Sequence, residues 1–314
     1  YFKKSLEHFQ PADIVKRYEL IEEMSQEYPV KHLCRVLELS RSSYYAFRQG
    51  LTYQTSWEDQ ILLKEVKDTF DKHLKRYGAR RVWSELKDRD FQIGLYKVRR
   101  MMREQDLEAI QPKRFVPRTT QSAPNQRRSP NLLLDLPPPD GPNKVIVGDI
   151  TYLPAVLDGY DDWLYLAVWM DLFSRKITGW EVDEHMEESL VIQPFKQVIR
   201  DRQPPPGMIV HSDGGSQYGS INFRALLAQH GFRQSMTRKD DHYDNAFAES
   251  LFSRFKAELL NGGVFYGLHD ARIRIFEYIE GYYNTIRKHS SLGYISPVQF
   301  EDRYWMEFWR RNQA

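Results

Sequence analysis

Lys144-Val-Ile-Val-Gly-Asp-Ile-Thr-Tyr-Leu-Pro-Ala-Val156 is the stretch on which the fold turns. Before it, apolar residues recur at helical spacing; from it onward they belong to strands. Residues 164–170 and 176–182 are two further β-rich runs. Asp158-Gly159 and residues 171–174 separate the three with turn formers, which predicts antiparallel hairpins. Residues 187–202 then read as a helix, 208–211 as a short strand, 222–230 as a helix and 232–236 as a strand. A long helix over 243–260 and another over 269–283 follow. Three strands, then strands alternating with helices, predict an α+β or α/β fold: a mixed five-stranded sheet with flanking helices.

Three acidic residues fall where such a fold could gather them. Asp149 interrupts the apolar first strand, where a charge is costly unless it is paired or binds metal. Asp213 follows the fourth strand in His211-Ser-Asp-Gly-Gly-Ser-Gln-Tyr218, and Gly214 and Gly215 allow a sharp turn there. Glu249 lies in the long helix, in Asp244-Asn-Ala-Phe-Ala-Glu249-Ser-Leu-Phe, with 35 residues between it and Asp213. Taken singly, each reads as a capping or surface residue. Together they suit phosphodiester cleavage, in which two metal ions about 3.5–4 Å apart flank the attacking and leaving oxygens. Mg²⁺ takes hard oxygen ligands of this kind. No Ser or Cys nucleophile motif competes with that reading.

The first 110 residues read as short helices. Ile14, Tyr18 and Ile21 open an amphipathic stretch that ends before Pro29. Residues 30–37 form a second helix, and Ser40 is the expected N-cap of a third over 41–48. Two helices joined by a three- or four-residue turn have the helix-turn-helix pattern, which an ordinary helical hairpin shares. A second such unit follows. Trp57, Ile61, Leu62, Val66 and Phe70 recur at helical spacing, and Val82, Trp83 and Leu86 point inward from a helix over 79–86. In a last helix, over 95–105, Val98, Met101 and Met102 form the core side. Lys97, Arg99, Arg100 and Arg103 spread over the rest, a distribution suited to a DNA groove.

Residues 111–143 hold eight prolines, with Arg and Ser interspersed and a basic pair at Arg127-Arg128, and read as an extended linker. Net charge is +2 but unevenly placed: residues 1–130 hold 26 Lys/Arg against 18 Asp/Glu, and residues 131–314 hold 19 against 25. The basic half is a candidate for phosphate contact, although solvated helix faces give the same count. An apolar content of 41% over 314 residues suffices for two or three cores. No run reaches the roughly 20 apolar residues of a membrane span, and the Tyr-Phe-Lys-Lys-Ser start lacks a signal peptide's apolar region. A start at Tyr leaves room for missing upstream residues. Cys34, the single cysteine, fits a reducing, cytoplasmic compartment.

These motifs together resemble the transposases of the insertion sequence 3 family, which are related to retroviral integrases. The resemblance implies a ribonuclease H-like core whose catalytic and metal-binding triad falls on Asp149, Asp213 and Glu249. It also implies a cation seven positions past the glutamate, here Lys256. Seven residues are close to two helical turns, so Lys256 shares a face with Glu249 and can touch phosphate or a base near the cut; it also reads as an ordinary exposed lysine. Val30-Lys-His-Leu-Cys-Arg-Val-Leu and Ser40-Arg-Ser-Ser-Tyr-Tyr resemble the start of the family's catalytic reading frame. Arg76-Tyr-Gly-Ala-Arg-Arg-Val-Trp-Ser-Glu-Leu and Val98-Arg-Arg-Met-Met-Arg-Glu resemble its second helix-turn-helix. Tyr282-Tyr-Asn-Thr-Ile-Arg-Lys-His-Ser-Ser-Leu-Gly-Tyr294 with Ser296-Pro297 resembles its C-terminal signature, read as a helix and turn that brace the core. Gly94 stands where Ser or Asn is usual, and Asp240-Asp241-His242 replaces a Gly-Asn-Pro-like turn. The family's upstream DNA-binding and leucine-zipper region is not evident.

The implied activity is DNA transposition: binding of an element's terminal inverted repeats, nicking to release a 3′-hydroxyl, and strand transfer with two Mg²⁺ or Mn²⁺ ions. The two ends are first joined into a circular intermediate and then inserted. The candidate DNA contacts are Arg41, Arg48, Arg80, Arg81, Lys97, Arg99, Arg100, Arg103 and Lys256. Zinc is not expected, because one cysteine and scattered histidines cannot supply a paired four-ligand site. Expected partners are terminal-repeat and target DNA and at least a second copy of the chain, with no membrane. The implied setting is the bacterial cytoplasm, at the nucleoid. The expected division is helix-turn-helix modules over 1–50 and 51–110, a linker over 111–143, the catalytic core over 144–285 and a tail over 286–314. A nuclease of the same fold without strand transfer, and a catalytically inactive DNA-binding protein, are the alternatives.

Overall fold

The computed structural model describes residues 14–51, 57–112, 128–134, 136–238 and 246–312, with backbone alone for 246–249. Residues 1–13, residues 113–127 and 135 of the Pro-rich stretch, and the Asp240-Asp241-His242 turn lie outside these. α1 (Ile14–Met24), α2 (Val30–Val36) and α3 (Arg41–Arg48) close around Tyr18, Ile21, Leu33, Cys34, Leu37 and Tyr44. Ser40 takes the expected N-cap position, but its hydroxyl bonds Ser42 Oγ at 2.7 Å and caps no backbone N–H.

α4 (Trp57–Lys72), α5 (Ala79–Asp88) and α6 (Leu95–Glu104) share a second core. Val66, Phe70, Val82, Leu86, Val98, Met101 and Met102 all lie in it, as their spacing predicts. Trp57 does not: it is 75% exposed. Trp83 is half-buried, its indole N–H donating to Ile93 O at 2.8 Å.

β1 (Val145–Leu157), β2 (Tyr160–Asp171) and β3 (Ile177–Asp183) form an antiparallel meander. Asp158 (φ 50°) and Gly159 (φ 85°) close the first hairpin with two left-handed residues, the turn whose twist matches the strands. α7 (Ser189–Arg202) crosses the sheet to β4 (Ile209–Ser212), which runs parallel to β1. The short α8 (Ser216–Gly219) and α9 (Ile221–Gln229) lead to β5 (Arg233–Met236), parallel to β4. The strand order is β3-β2-β1-β4-β5, the mixed five-stranded, ribonuclease H-like sheet expected. α10 (Ala246–Leu260) and a two-residue β6 (Phe265–Tyr266), paired to the far end of β1, add to it. α11 (Gly267–Phe276) continues as a π-helical turn (Glu277–Tyr283), followed by α12 (Pro297–Asn312).

Alternate strand residues face opposite sides of the sheet, so it builds two cores. Val147, Leu166 and Val168 pack with Leu251, Phe252, Phe255 and Ile275 under α10 and α11. Ile146, Ala167, Trp169 and Val210 pack with Phe195, Val198 and Phe223 under α7 and α9. Each fully buried Phe or Leu contributes about 1.5–3 kcal/mol.

The segment read as a tail is built into the fold. Glu301, on α12, accepts hydrogen bonds from Ser174 Oγ at 2.7 Å and from both terminal nitrogens of Arg202 at 2.8 Å. Asp171, at the end of β2, accepts the backbone N–H groups of Asn143, Phe173 and Ser174 at 2.7–3.0 Å. Among the described residues no helix is long and apolar enough to cross a membrane.

Candidate active site

The register of the sheet brings two of the three acids together. Gly148 of β1 pairs with Ser212, the last residue of β4, so the next residues, Asp149 in β1 and Asp213 just past β4, follow at the same level. Neighbouring strands stand about 4.8 Å apart, within reach of one shared ligand. Asp149 Oδ1 accepts the N–H of Ile150 at 2.9 Å, and Asp213 Oδ1 accepts that of Gly215 at 3.0 Å. Burial pushes Asp213 above the usual carboxylate range, while the Gly215 N–H and the charge of Arg128 act the other way. The Arg128 guanidinium lies over Gly214, where an added Cβ would come within 2.6 Å of its Cζ.

Tyr218 is buried behind the pair, edge-on to Trp169 at 5.6 Å. Its hydroxyl has no hydrogen-bond partner among the described residues. Burial first, then the charges of Asp149 and Asp213, hold that phenol well above its ordinary pKa.

α10 supplies the third acid. Phe252 and Phe255 bury one side of it, and Lys256 comes close enough to β1 to feel Asp149. Burial pushes the Lys256 ammonium down, and the Asp149 carboxylate opposes that shift. Glu249 lies on α10 seven residues earlier, but its side chain is outside the described set. Among the described residues no three His, Cys, Asp or Glu side chains gather as a metal site. The two carboxylates that the register brings to one level are hard oxygens, the ligand type that Mg²⁺ or Mn²⁺ takes. His211, two residues before Asp213, bonds Ser235 Oγ through its Nδ1 at 2.8 Å across the β4–β5 pair.

The candidate DNA contacts divide. Arg41, Arg80, Arg99 and Arg103 are exposed. Arg48 pairs with Glu22 at 3.4 Å, Lys97 with Asp59, and Arg100 with Asp59 and Glu104 at 3.3 Å. Arg81 turns inward, its Nε donating to Lys288 O at 2.9 Å. Arg128 and Tyr218 escaped the sequence reading. The one signal for Arg128 was the basic pair in the Pro-rich stretch, and Tyr218 stood at the end of the quoted Asp213 motif.

Residues 139–242 and 230–297 match the integrase core domain family, and residues 56–115 match the HTH-like domain family. The sheet and its carboxylate pair thus define an integrase-type core behind a helical module. The chain is 39% identical over 244 residues to the transposase for insertion sequence element IS904 of Lactococcus lactis subsp. lactis (strain IL1403), covering 78% of this chain and 94% of that protein. It is 36% identical over 289 residues to transposase InsF for insertion sequence IS3A of Escherichia coli (strain K12), covering 91% and 99%. The chain belongs to the insertion sequence 3 family of transposases. Among solved structures, the HTLV-2 integrase catalytic core domain in complex with magnesium covers 52% of this chain and 98% of its own, at 17% identity and a TM-score of 0.38, a likeness too distant to bear on the site.

Proposed function

We propose that the chain nicks the ends of an insertion sequence and joins the released 3′-hydroxyl to a second phosphodiester, with Asp149, Asp213 and Glu249 holding two divalent ions. The observation that supports this most is the β1–β4 register that sets Asp149 beside Asp213. When bound, the ions would activate the attacking oxygen and stabilise the charge that develops on the phosphate. Asp213, intermediate in exposure, has its carboxylate partly desolvated. The Gly215 N–H and Arg128 orient that carboxylate. Lys256, on the α10 face shared with Glu249, would take a DNA phosphate near the cut.

The exposed Arg41, Arg80, Arg99 and Arg103 would grip the terminal repeats. The division proposed is helical modules over 1–50 and 51–110, a linker over 111–143, a core over 144–285 and a C-terminal segment over 286–314. Two ends must be held at once, so the working form is at least a dimer on DNA, in the bacterial cytoplasm.

The test is strand transfer by the full chain on labelled element ends, with Mg²⁺, Mn²⁺ or EDTA. Metal-dependent joined product is expected. Glu249→Gln and Asp213→Asn are each expected to abolish nicking while sparing end binding. Nicking that survives Glu249→Gln would remove that residue from the triad.

A further inference from the structure

The polar residues at the C-terminal end of α10 have no part in the chemistry above, yet they are among the most buried charges in the chain. Glu258, two residues past Lys256, is 4% exposed. Arg287 grips its carboxylate at both oxygens, Nε to Oε2 at 2.8 Å and Nη2 to Oε1 at 2.6 Å. The Tyr278 hydroxyl donates to the same carboxylate at 2.8 Å, and Arg81 Nη1 stands 4.0 Å from it. The backbone oxygen of Glu258 accepts Arg76 Nε at 3.1 Å. The Arg76 guanidinium in turn lies over the rings of Tyr282 and Tyr278, 4.6 and 5.1 Å from their centroids.

The partners come from two distant parts of the sequence. Arg76, Tyr77 and Arg81 belong to α5 and the turn before it, in the helical module; Tyr278 and Tyr282 lie near the end of the core, and Arg287 and Lys288 just past it. Further bonds pin these parts together. The Tyr77 hydroxyl donates to Ile286 O at 3.3 Å and accepts the N–H of Lys288 at 2.8 Å. The Lys288 ammonium reaches Ser84 Oγ at 3.1 Å, Glu85 Oε2 at 3.3 Å, and Asp88. Buried pairs of this kind add little net stability, because desolvation offsets the attraction. They do fix orientation, since a bidentate guanidinium–carboxylate pair tolerates little rotation.

We propose that Glu258 is a positioning residue, through which the helical module sets the rotation and axial position of the helix that carries Glu249 and Lys256. The proposal rests on the strand-transfer reading of the site. Glu249 lies nine residues before Glu258, about 13 Å along one continuous helix, so a small tilt at the buried end moves the acid at the other. A module that holds a DNA end thereby aligns the residues that act on it.

The test uses the full chain with Cys34 replaced by Ser and spin labels at Asp90→Cys and Ser253→Cys, both exposed positions. The unsubstituted joint should give one narrow inter-label distance. Glu258→Gln should broaden it and lower the nicking rate at saturating DNA by roughly 10- to 100-fold, the scale of a misplacement near 1 Å. Affinity for DNA ends should stay within about twofold, because no DNA contact is removed. Tyr77→Phe, which removes one hydroxyl and leaves the charges in place, should give the same effects at smaller size and covers the case in which Glu258→Gln does not fold. An unchanged distance distribution and unchanged nicking rate in a folded variant would overturn the proposal. A distance that broadens in the variants, in a chain that never nicks DNA, would overturn the catalytic reading and Glu258's part in it while the joint itself stood.

Discussion

Replacing Gly148 by Ala drives a methyl group into the ring of Trp169. The added Cβ would lie 2.3, 2.5 and 2.7 Å from Cζ3, Cε3 and Cη2 of the indole. Carbon atoms in contact stand about 3.5–4.0 Å apart, so the ring must retreat by about 1 Å or more. It has nowhere to go. Trp169 is fully buried, stacked on Phe223 at 5.6 Å, tilted against Phe195 at 4.9 Å, and tied to Val191 O through its indole N–H at 3.1 Å. Overpacking of this kind costs about 1–3 kcal/mol, and loss of the indole hydrogen bond about 1 more. At about 2–4 °C per kcal/mol for a large domain, thermal unfolding should shift down by roughly 4–16 °C. Circular dichroism melts of Gly148→Ala, Trp169→Phe and the double variant measure it. The smaller ring should relieve the clash, so the double variant should cost less than the sum of the singles by about 1 kcal/mol or more. A melting point within about 1 °C of the parent, or additive singles, would refute the reasoning. Because Gly148 sits opposite Ser212 in the β1–β4 register, nicking should fall as well.

Lys256→Ala should cut strand transfer and flatten the dependence of DNA-end affinity on salt by about 0.9 in log–log slope, one phosphate contact's worth; an unchanged slope would detach Lys256 from DNA. His289 is held down to about 2 by burial first, then by Arg287, Arg81 and Arg175. The unfolded chain takes up that proton near pH 6.5 and the folded chain does not, so stability should fall as pH drops below 6.5, by up to about 1.4 kcal/mol per unit. His289→Gln should make the melting point less sensitive to pH between about 4.5 and 6, and an identical pH profile would remove His289 as a cause. Glu301→Ala takes from Arg202 its bidentate partner, leaving it Asp171 at 3.5 Å and Asn143 Oδ1 at 2.6 Å, and should destabilise by about 1.5–3 kcal/mol in denaturant unfolding; a loss under about 0.5 would show the pair to be solvent-screened.

Periodic features were legible in the sequence. The strands of the meander, the Asp158-Gly159 hairpin and the inward residues of α4 to α6 follow from local spacing, because one buried face imposes its period on the chain. Contacts closed by long loops were not. Nothing in the spacing of Asp149 and Asp213 says that β4 returns beside β1; the α7 crossover decides it. Arg81 read as a DNA contact because a cation on an amphipathic helix looks the same whether it meets solvent or Lys288 of another part of the chain. Glu258 was passed over for the same reason. Ser40 was placed correctly at an N-cap, but its hydroxyl found Ser42 first. Glu249 was reached through its spacing from Asp213 and a family resemblance, and those still carry it.

The crossover that returns β4 to β1 has a consequence for the chain as it is made. Asp149 is synthesised 64 residues before Asp213, and Glu249 later still. A ribosome-bound chain that has emerged only through the meander holds one carboxylate and no neighbour for it. β4 must then add to the open edge of β1 before two acids face each other. Translation thus orders the assembly: the helices with the exposed arginines emerge first, and the proposed acid triad is completed only after them.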